Sequence, residues 1–323
     1  MKPSRRLLLA AAACLAAGLS VVSGGASAQA AFPDKPVRII VPFPPGGSFD
    51  VIARGLGIRL GELWKQPVVI ENRAGAGGNI GAQFVIGAPA DGYTLLLWGD
   101  GVLANPLLYP KPPFDAIRDL AGVALLARAP QVLVSGPKAN IASMKDVLAA
   151  KEPLNYGTAG AGSPGHLAAE LMKREGAKQL THVPYRGGGP ALADLMGDQI
   201  QLVSTGLPAC IALIRSGRIK AVAVSSAKRL RILPQVPTVG ETLPGYEVDT
   251  WFGIMAPKAT PVAVRNKIAA DVRTVLGNLE LQKKLGDDGF EVATSTPAEL
   301  DAKMVNDLAF WRAQVAKSGA RAE

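Results

Sequence analysis

The stretch VPFPPGGSFD at 41–50 can hold an anion without any cationic side chain. It follows an apolar strand-like run, Val37 to Val41, and precedes a helix-like one, Val51 to Leu63, so a Gly-rich loop opens a helix. Such a loop leaves backbone N–H groups unpaired at the positive end of the helix dipole, where a carboxylate needs neither lysine nor metal. Pro44 and Pro45 stiffen the entry, and Gly46 and Gly47 permit close backbone approach and positive φ. Ser48 lies in the same loop, and Asp50 stands where it can cap the following helix or contact a ligand donor. An ordinary capped strand-to-helix turn would use the same residues.

Three further Gly-rich turns follow. RAGAGGNIG at 73–81 invites a dinucleotide reading but fails on spacing, because its glycines run G-x-G-x-x-x-G and Ile80 takes the third-glycine place. It is then a plain flexible loop or, if its strand neighbours Val37 to Val41, a loop beside the first one with Asn79 available to the same cleft. YGTAGAGSPGHLAAELMK at 156–173 again reads strand, loop, helix, with hydroxyls on Thr158 and Ser163, amides at Gly160 and Gly162, and His166 in the first helical turn. Ser163 suggests a hydrolase nucleophile. Ala161 breaks the G-x-S-x-G pattern, however, and Pro164 removes the amide that an oxyanion hole takes from the residue after the serine. His166 is too near in sequence for the usual triad base; a structural cap is its alternative role. PYRGGGPALADLMGDQIQLV at 184–203 adds Tyr185 and Arg186 before three glycines, with Pro190 at a helix start. Arg186 can pair with a carboxylate or remain a solvated loop charge.

These loops need strands behind them and helices ahead. Short β-branched runs at Val68 to Glu71, Thr94 to Trp98, Leu154 to Thr158, Gln201 to Ser204 and Ile219 to Ser225 alternate with amphipathic segments, which argues for an α/β fold with largely parallel sheets. Gly122 to Val134 and Tyr246 to Ala256 read as crossings between two lobes. The expected division is 29–131 plus 252–323 for a discontinuous first lobe and 132–251 for the second. The tail fits a return, with a helix over Pro261 to Leu276, a strand over Gly289 to Ala293 and a last helix from Thr296-Pro297.

Residues 1–28 read as an export signal: Lys2, Arg5 and Arg6, an apolar run from Leu7 to Val22, then Ala26-Ser27-Ala28. Cleavage after Ala28 would send the chain to the periplasm by the general secretory route, although Arg5-Arg6 also resembles a twin-arginine signal. Removing that segment takes away three basic residues and no acid, lowering the formal charge from +9 to +6. With scattered positive residues and 5% aromatics, neither a basic stripe nor a stacking platform is present, which excludes nucleic acid as a partner. Two histidines and, after processing, Cys210 alone offer no metal-ligand cluster and no disulfide, and no cofactor is expected.

Taken together, the segments resemble the periplasmic receptors of tripartite tricarboxylate transporters, the Bug receptors. The resemblance rests on PDKPVRIIVPFPPGGSFDVIAR at 33–54, ENRAGAGGNIGAQ at 71–83, DGYTLL at 91–96, YGTAGAGSPGHLAAEL at 156–171, HVPYRGGGPALADLMGDQI at 182–200 and LPQVPTVGETLPGYEVDTWFGIMAPKATP at 233–261. It implies a two-lobe, venus-flytrap binding protein that closes on a small organic carboxylate and hands it to membrane permease subunits. The candidate ligand contacts it implies are the 43–50 loop, namely Phe43, Pro44, Gly46, Gly47, Ser48 and Asp50, with Asn79. From the second lobe come Thr158, Ala159, Gly160, Ser163, His166, Tyr185 and Ser204. Ser204-Thr205-Gly206 departs from the acid that many relatives carry there, which disfavours an amino-acid ligand with its ammonium group. The resulting expectation is a monomeric, non-enzymatic receptor, with a sensor feeding a signalling system or a Ser163 hydrolase as the rivals.

Overall fold

VRIIV, the first strand, is buried along nearly all its length because β-branched side chains fill both faces of a sheet covered by helices. The computed structural model describes residues 32–318, so the export signal read over 1–28 lies outside the described residues. The strands are β1 (Val37–Val41), β2 (Val68–Asn72), β3 (Thr94–Trp98), β4 (Leu120–Ser135), β5 (Leu154–Thr158), β6 (Leu180–Pro184), β7 (Leu202–Gly206), β8 (Lys220–Val224), β9 (Asp249–Pro257) and β10 (Glu291–Val292). Helices of eight residues or more are α1 (Ser48–Trp64), α2 (Asn79–Ile86), α3 (Pro164–Arg174), α4 (Gly188–Met196), α5 (Val262–Leu276), α6 (Leu279–Asp287) and α7 (Pro297–Ser318).

Two groups of parallel strands carry the architecture. In the first lobe β1 lies between β2 and β3, in register Ile39 to Ile70 and Ile39 to Leu95. In the second, β5 lies between β6 and β7, with Tyr156 opposite His182 and Leu202. Antiparallel strands join them. The 16-residue β4 pairs with β9 along Leu120 to Pro130, then with β7 and β8 along Gln131 to Ser135, so one strand belongs to both halves. β9 in turn pairs with β3, making the strand order β2-β1-β3-β9-β4-β7-β5-β6. The parallel expectation therefore holds for the strands that feed the loops and gives way to antiparallel pairing at the seam, where strands that run between lobes must return.

Helix α1 buries Ile52, Leu56, Leu60 and Trp64, one residue per turn on a single face. Gly57 lets that face settle on β2, since a Cβ there would stand 3.0 Å from Ile70 Cδ1. The Trp64 indole donates to Asp271 Oδ2 of α5 at 2.6 Å, tying the returning tail to the first lobe. The second lobe has its own core around Val132, Val203, Leu195 and Val224. Cys210 sits within it, and burial pushes its thiol pKa up, so it packs as an inert small apolar side chain. No helix among the described residues is long and apolar enough to cross a membrane.

Candidate ligand-binding site

Parallel strands of an α/β sheet all end on one edge, and each strand-to-helix turn delivers a helix N-terminus to that edge. Helix α1 follows β1, α3 follows β5, and α4 follows β6. Their first residues line one cavity of about 50 Å³: Gly47, Ser48 and Phe49 from the start of α1, Ser163, Pro164 and Gly165 from α3, and Gly188 from α4. That volume is several times what one water requires, which suits a small ligand. Neither Gly47 nor Gly187 caps its helix with a side chain, so the opening amides of α1 and α4 keep their donors. In α3 the Ser163 Oγ accepts from His166 N at 3.4 Å, and Pro164 has no amide, which leaves Gly165 as the open donor. Three positive dipole ends thus meet without a lysine or arginine in the lining.

Of the candidate contacts, Phe43, Pro44, Gly47, Ser48, Ala159, Ser163 and Ser204 line this cavity. Asp50 is engaged elsewhere. Its carboxylate accepts from Gly46 N at 3.0 Å, from Arg54 Nε and Nη2 at 2.9 Å each and from Asn72 Nδ2 at 3.0 Å. Burial pushes its pKa up, but Arg54, the Gly46 amide and Asn72 outweigh that and hold the carboxyl below its usual range. Asn72 Nδ2 also donates to the Phe43 carbonyl at 2.9 Å, so the acid braces both ends of the 43–46 turn. The positive φ belongs to Gly46 alone, at 87°; Gly47, at φ −81° and ψ 169°, is ordinary extended backbone. The freedom to adopt positive φ expected of both glycines is required at only one.

Asn79 faces Asn105, whose Nδ2 stands 3.3 Å from Asn79 Oδ1 and donates to Gly77 O at 2.9 Å. Tyr185 donates its hydroxyl to Asp194 Oδ2 at 2.7 Å, and burial together with that acid pushes the phenol up to about 12. Thr158, Gly160 and His166 form the layer behind the lining. Thr158 Oγ1 lies 2.7 Å from His182 Nε2 and 3.2 Å from Gly160 N, while His166 Nδ1 accepts from Gly162 N at 3.1 Å and thereby shapes the loop. Ser204 Oγ donates to Gly165 O at 2.8 Å. Gln131, Thr205 and Phe252 also line the cavity and come from strands that carry no loop signal. Gln131 had one visible sign, a lone amide inside the apolar run Ala129 to Val134; its Nε2 donates to Thr250 Oγ1 at 3.0 Å.

Across the cleft the lobes touch where side chains are absent. A Cβ on Gly187 would stand 2.8 Å from Pro44 Cγ, and one on Gly206 would stand 2.5 Å from Ser48 Oγ. Gly162 packs equally tightly on Asn105, and Gly77 on the Ala161 carbonyl.

The two imidazole rings stack with centroids 4.1 Å apart behind the second-lobe loop. Burial drives both below their ordinary range, His182 to about 3 with help from His166, so both are neutral near pH 7. The unfolded chain binds these protons near pH 6.5 and the folded chain does not, so stability is present above pH 6.5 and falls as pH drops from there toward about 3. Thermal unfolding followed between pH 7.5 and 5 should show this decline, and His166→Gln with His182→Gln should flatten it. Carboxylates with lowered pKa, such as Asp50 and Glu71, add to the decline mainly below about pH 5, at the acid edge of that window, so the double variant is what isolates the histidines. A wild-type melting temperature unchanged across the window would refute the assignment.

A family model described as tripartite tricarboxylate transporter family receptor matches residues 51–319. Protein BugT of Bordetella pertussis is 33% identical over 314 residues, spanning 94% of this chain and 96% of the relative. The solved structure of R. palustris Rpa4515 with adipate is similar at a TM-score of 0.86 and 34% identity, over 90% of this chain and 100% of that one. The periplasmic binding protein BugD gives the same TM-score of 0.86 at 31% identity, again over 90% of this chain and 100% of the other. A two-lobe α/β fold, a cavity at the strand ends and a family match across most of the sequence converge on one conclusion: the chain belongs to the tripartite tricarboxylate transporter family of receptors.

Proposed function

We propose that this receptor captures a small organic carboxylate in the periplasm by hinge closure and delivers it, unchanged and as a monomer, to the permease subunits of a tripartite tricarboxylate-type transporter. The observation that carries the reading is the convergence of three helix N-termini on one cavity whose lining has no charged side chain. Each N-terminus contributes roughly half an elementary charge, and together they attract an anion that neutral hydroxyls and amides can orient. A relative solved with adipate supports the same ligand chemistry. The Ser163 hydroxyl accepts from the His166 amide as a cap, and no described hydrogen bond joins it to either imidazole, which supports binding over hydrolysis.

The lobes we assign are 29–131 plus 252–323 and 132–251, following removal of a signal at 1–28. Ligand contacts are assigned to Phe43, Pro44, Gly47, Ser48, Ala159, Ser163 and Ser204, with Asp50, Asn79, Thr158, Gly160, His166 and Tyr185 shaping the loops around them. Closure gains contacts that the open form lacks, so a bound acid shifts the population toward the closed form.

A carboxylate panel read by thermal shift tests this. An acid at 100 times its Kd should add about 2.7 kcal/mol of stability, its primary amide should add none, and EDTA should change neither result. An amide that binds as well as its acid, or binding that EDTA abolishes, overturns the reading.

A further inference from the structure

We infer that Gln131 is a ligand-contact residue where the two lobes join, and that Thr250 is the positioning residue that aims its amide, an assignment that rests on the carboxylate-receptor reading above. Gln131 lines the cavity, yet it comes from the middle of a strand and not from a loop that opens a helix. It is the residue at which β4 changes partners. Pro130 still lies opposite Asp249 of β9, whereas Gln131 lies opposite Gly206 of β7. The return of the chain from β8 to β9 passes beside the same point, since Val248 N donates to Ser225 O at 2.9 Å.

The backbone there is fixed on both sides. Gln131 N donates to Ser225 Oγ at 2.9 Å, and Gln131 O accepts from Ser225 N at 2.9 Å. The same Ser225 Oγ donates to Val248 O at 2.6 Å, so one buried hydroxyl clamps the outgoing strand to the returning chain. What freedom remains lies in the amide. Its Nε2 donates to Thr250 Oγ1 at 3.0 Å, and no described hydrogen bond reaches its Oε1. Gln131 is 2% exposed and Thr250 is fully buried, so the end of the amide that Thr250 does not hold finds its partner in the cavity. A threonine hydroxyl either accepts or donates, so it holds the amide equally well with Nε2 turned toward a ligand carboxylate. The neighbouring hydroxyls are engaged: Ser204 Oγ donates to Gly165 O, and Ser163 Oγ accepts from His166 N. Among the described residues Gln131 is the one carboxamide in the lining, and a bound acid completes its hydrogen bonds.

The test is calorimetric titration of the full mature chain with adipate and malate, read on whichever the wild type binds more tightly; if only another acid of the panel binds, the same variants are titrated with that acid. Gln131→Met, which keeps the length and removes the amide, should weaken binding about tenfold. Thr250→Val should weaken it about fivefold although Thr250 does not line the cavity, and Thr250→Ser should stay within about twofold of the wild type. In the Gln131→Met background Thr250→Val should cost less than about twofold, because no amide is left to aim. A threonine with a merely structural role would give losses that add. Circular dichroism checks each fold, and the comparison of Thr250→Val with Thr250→Ser stands alone if Gln131→Met does not fold. Wild-type affinity in Gln131→Met, additive losses in the double variant, or equal affinities in Thr250→Val and Thr250→Ser overturn the inference and leave the receptor reading standing. If no acid of the panel binds the wild type, the receptor reading fails and this inference fails with it.

Discussion

Gly206→Val should abolish most ligand affinity while leaving the melting temperature of the free protein nearly unchanged. Gly206 ends β7 at φ −63° and ψ 134°, a conformation open to any residue, so the substitution brings no backbone strain. Its Cβ would stand 2.5 Å from Ser48 Oγ, which belongs to α1 on the opposite lobe, and 3.7 Å from Gln131 Nε2. A serine hydroxyl can rotate away from one methyl group. It cannot clear two, and Ser48 is itself a wall of the cavity. The collision exists only when the lobes meet, so its cost falls on closure. Overpacking of about 1–3 kcal/mol corresponds to roughly five- to 150-fold weaker binding. Scattering in saturating carboxylate should show the wild type contracting and the variant remaining extended. Wild-type affinity in Gly206→Val would mean that Ser48 and Gly206 do not approach in the bound state.

Strand-loop-helix units were legible because each carries its own punctuation. Val37 to Val41 and Leu154 to Thr158 end in glycine-rich turns, and the periodicity then changes from two to 3.6, so β1-α1 and β5-α3 could be placed without coordinates. The long apolar stretch from Gly122 was legible as a segment, but nothing local says that Leu120–Ser135 pairs with β9 over one half and with β7 over the other. The site was legible in its loops and at Ser204 of β7, and hardly elsewhere. Gln131, Thr205 and Phe252 reach the cavity by pairing between strands distant in sequence, and no spacing rule encodes that. Direction was equally hidden: Asp50 and Ser48 share the first turn of α1, yet Ser48 lines the cavity and Asp50 turns back onto Arg54. Two residues on a helix differ by about 200° in facing, so which one meets the ligand depends on how the whole helix is seated.

That seating makes Asp50→Ala the second large effect expected, on stability and binding together. The side chain is 6% exposed and accepts four hydrogen bonds, from Gly46 N, two Arg54 nitrogens and Asn72 Nδ2. Its removal strands the Gly46 amide, while Asn72 keeps its bonds to the Phe43 carbonyl and to Arg54 Nη2, and the rest of the Arg54 guanidinium, which is 52% exposed, is hydrated. Hydrogen bonds to a buried charge contribute about 1.5–3 kcal/mol each in favourable cases, but the exposed arginine is screened, so a net loss of about 2–3 kcal/mol is expected. Arg54→Ala should cost less than Asp50→Ala, because the arginine is 52% exposed and screened, although it leaves the buried carboxylate with only the Gly46 amide and Asn72 as partners. The carboxyl's pKa is held low in the folded protein, so its contribution is present above the unfolded value near 3.8 and is lost as pH falls through the folded one. Binding should suffer as well, because Phe43 and Gly47 line the cavity from a turn that the acid fixes at Gly46 and, through Asn72, at the Phe43 carbonyl. A turn that must be ordered by the ligand charges that ordering against affinity, at about 0.5–1.5 kcal/mol per immobilised group. Urea denaturation and calorimetry on Asp50→Ala and Arg54→Ala read both quantities. Equal losses in the two variants would place the brace in the ion pair; a larger loss in Asp50→Ala places it in the contacts to Gly46 and Asn72, which is the arrangement the geometry requires.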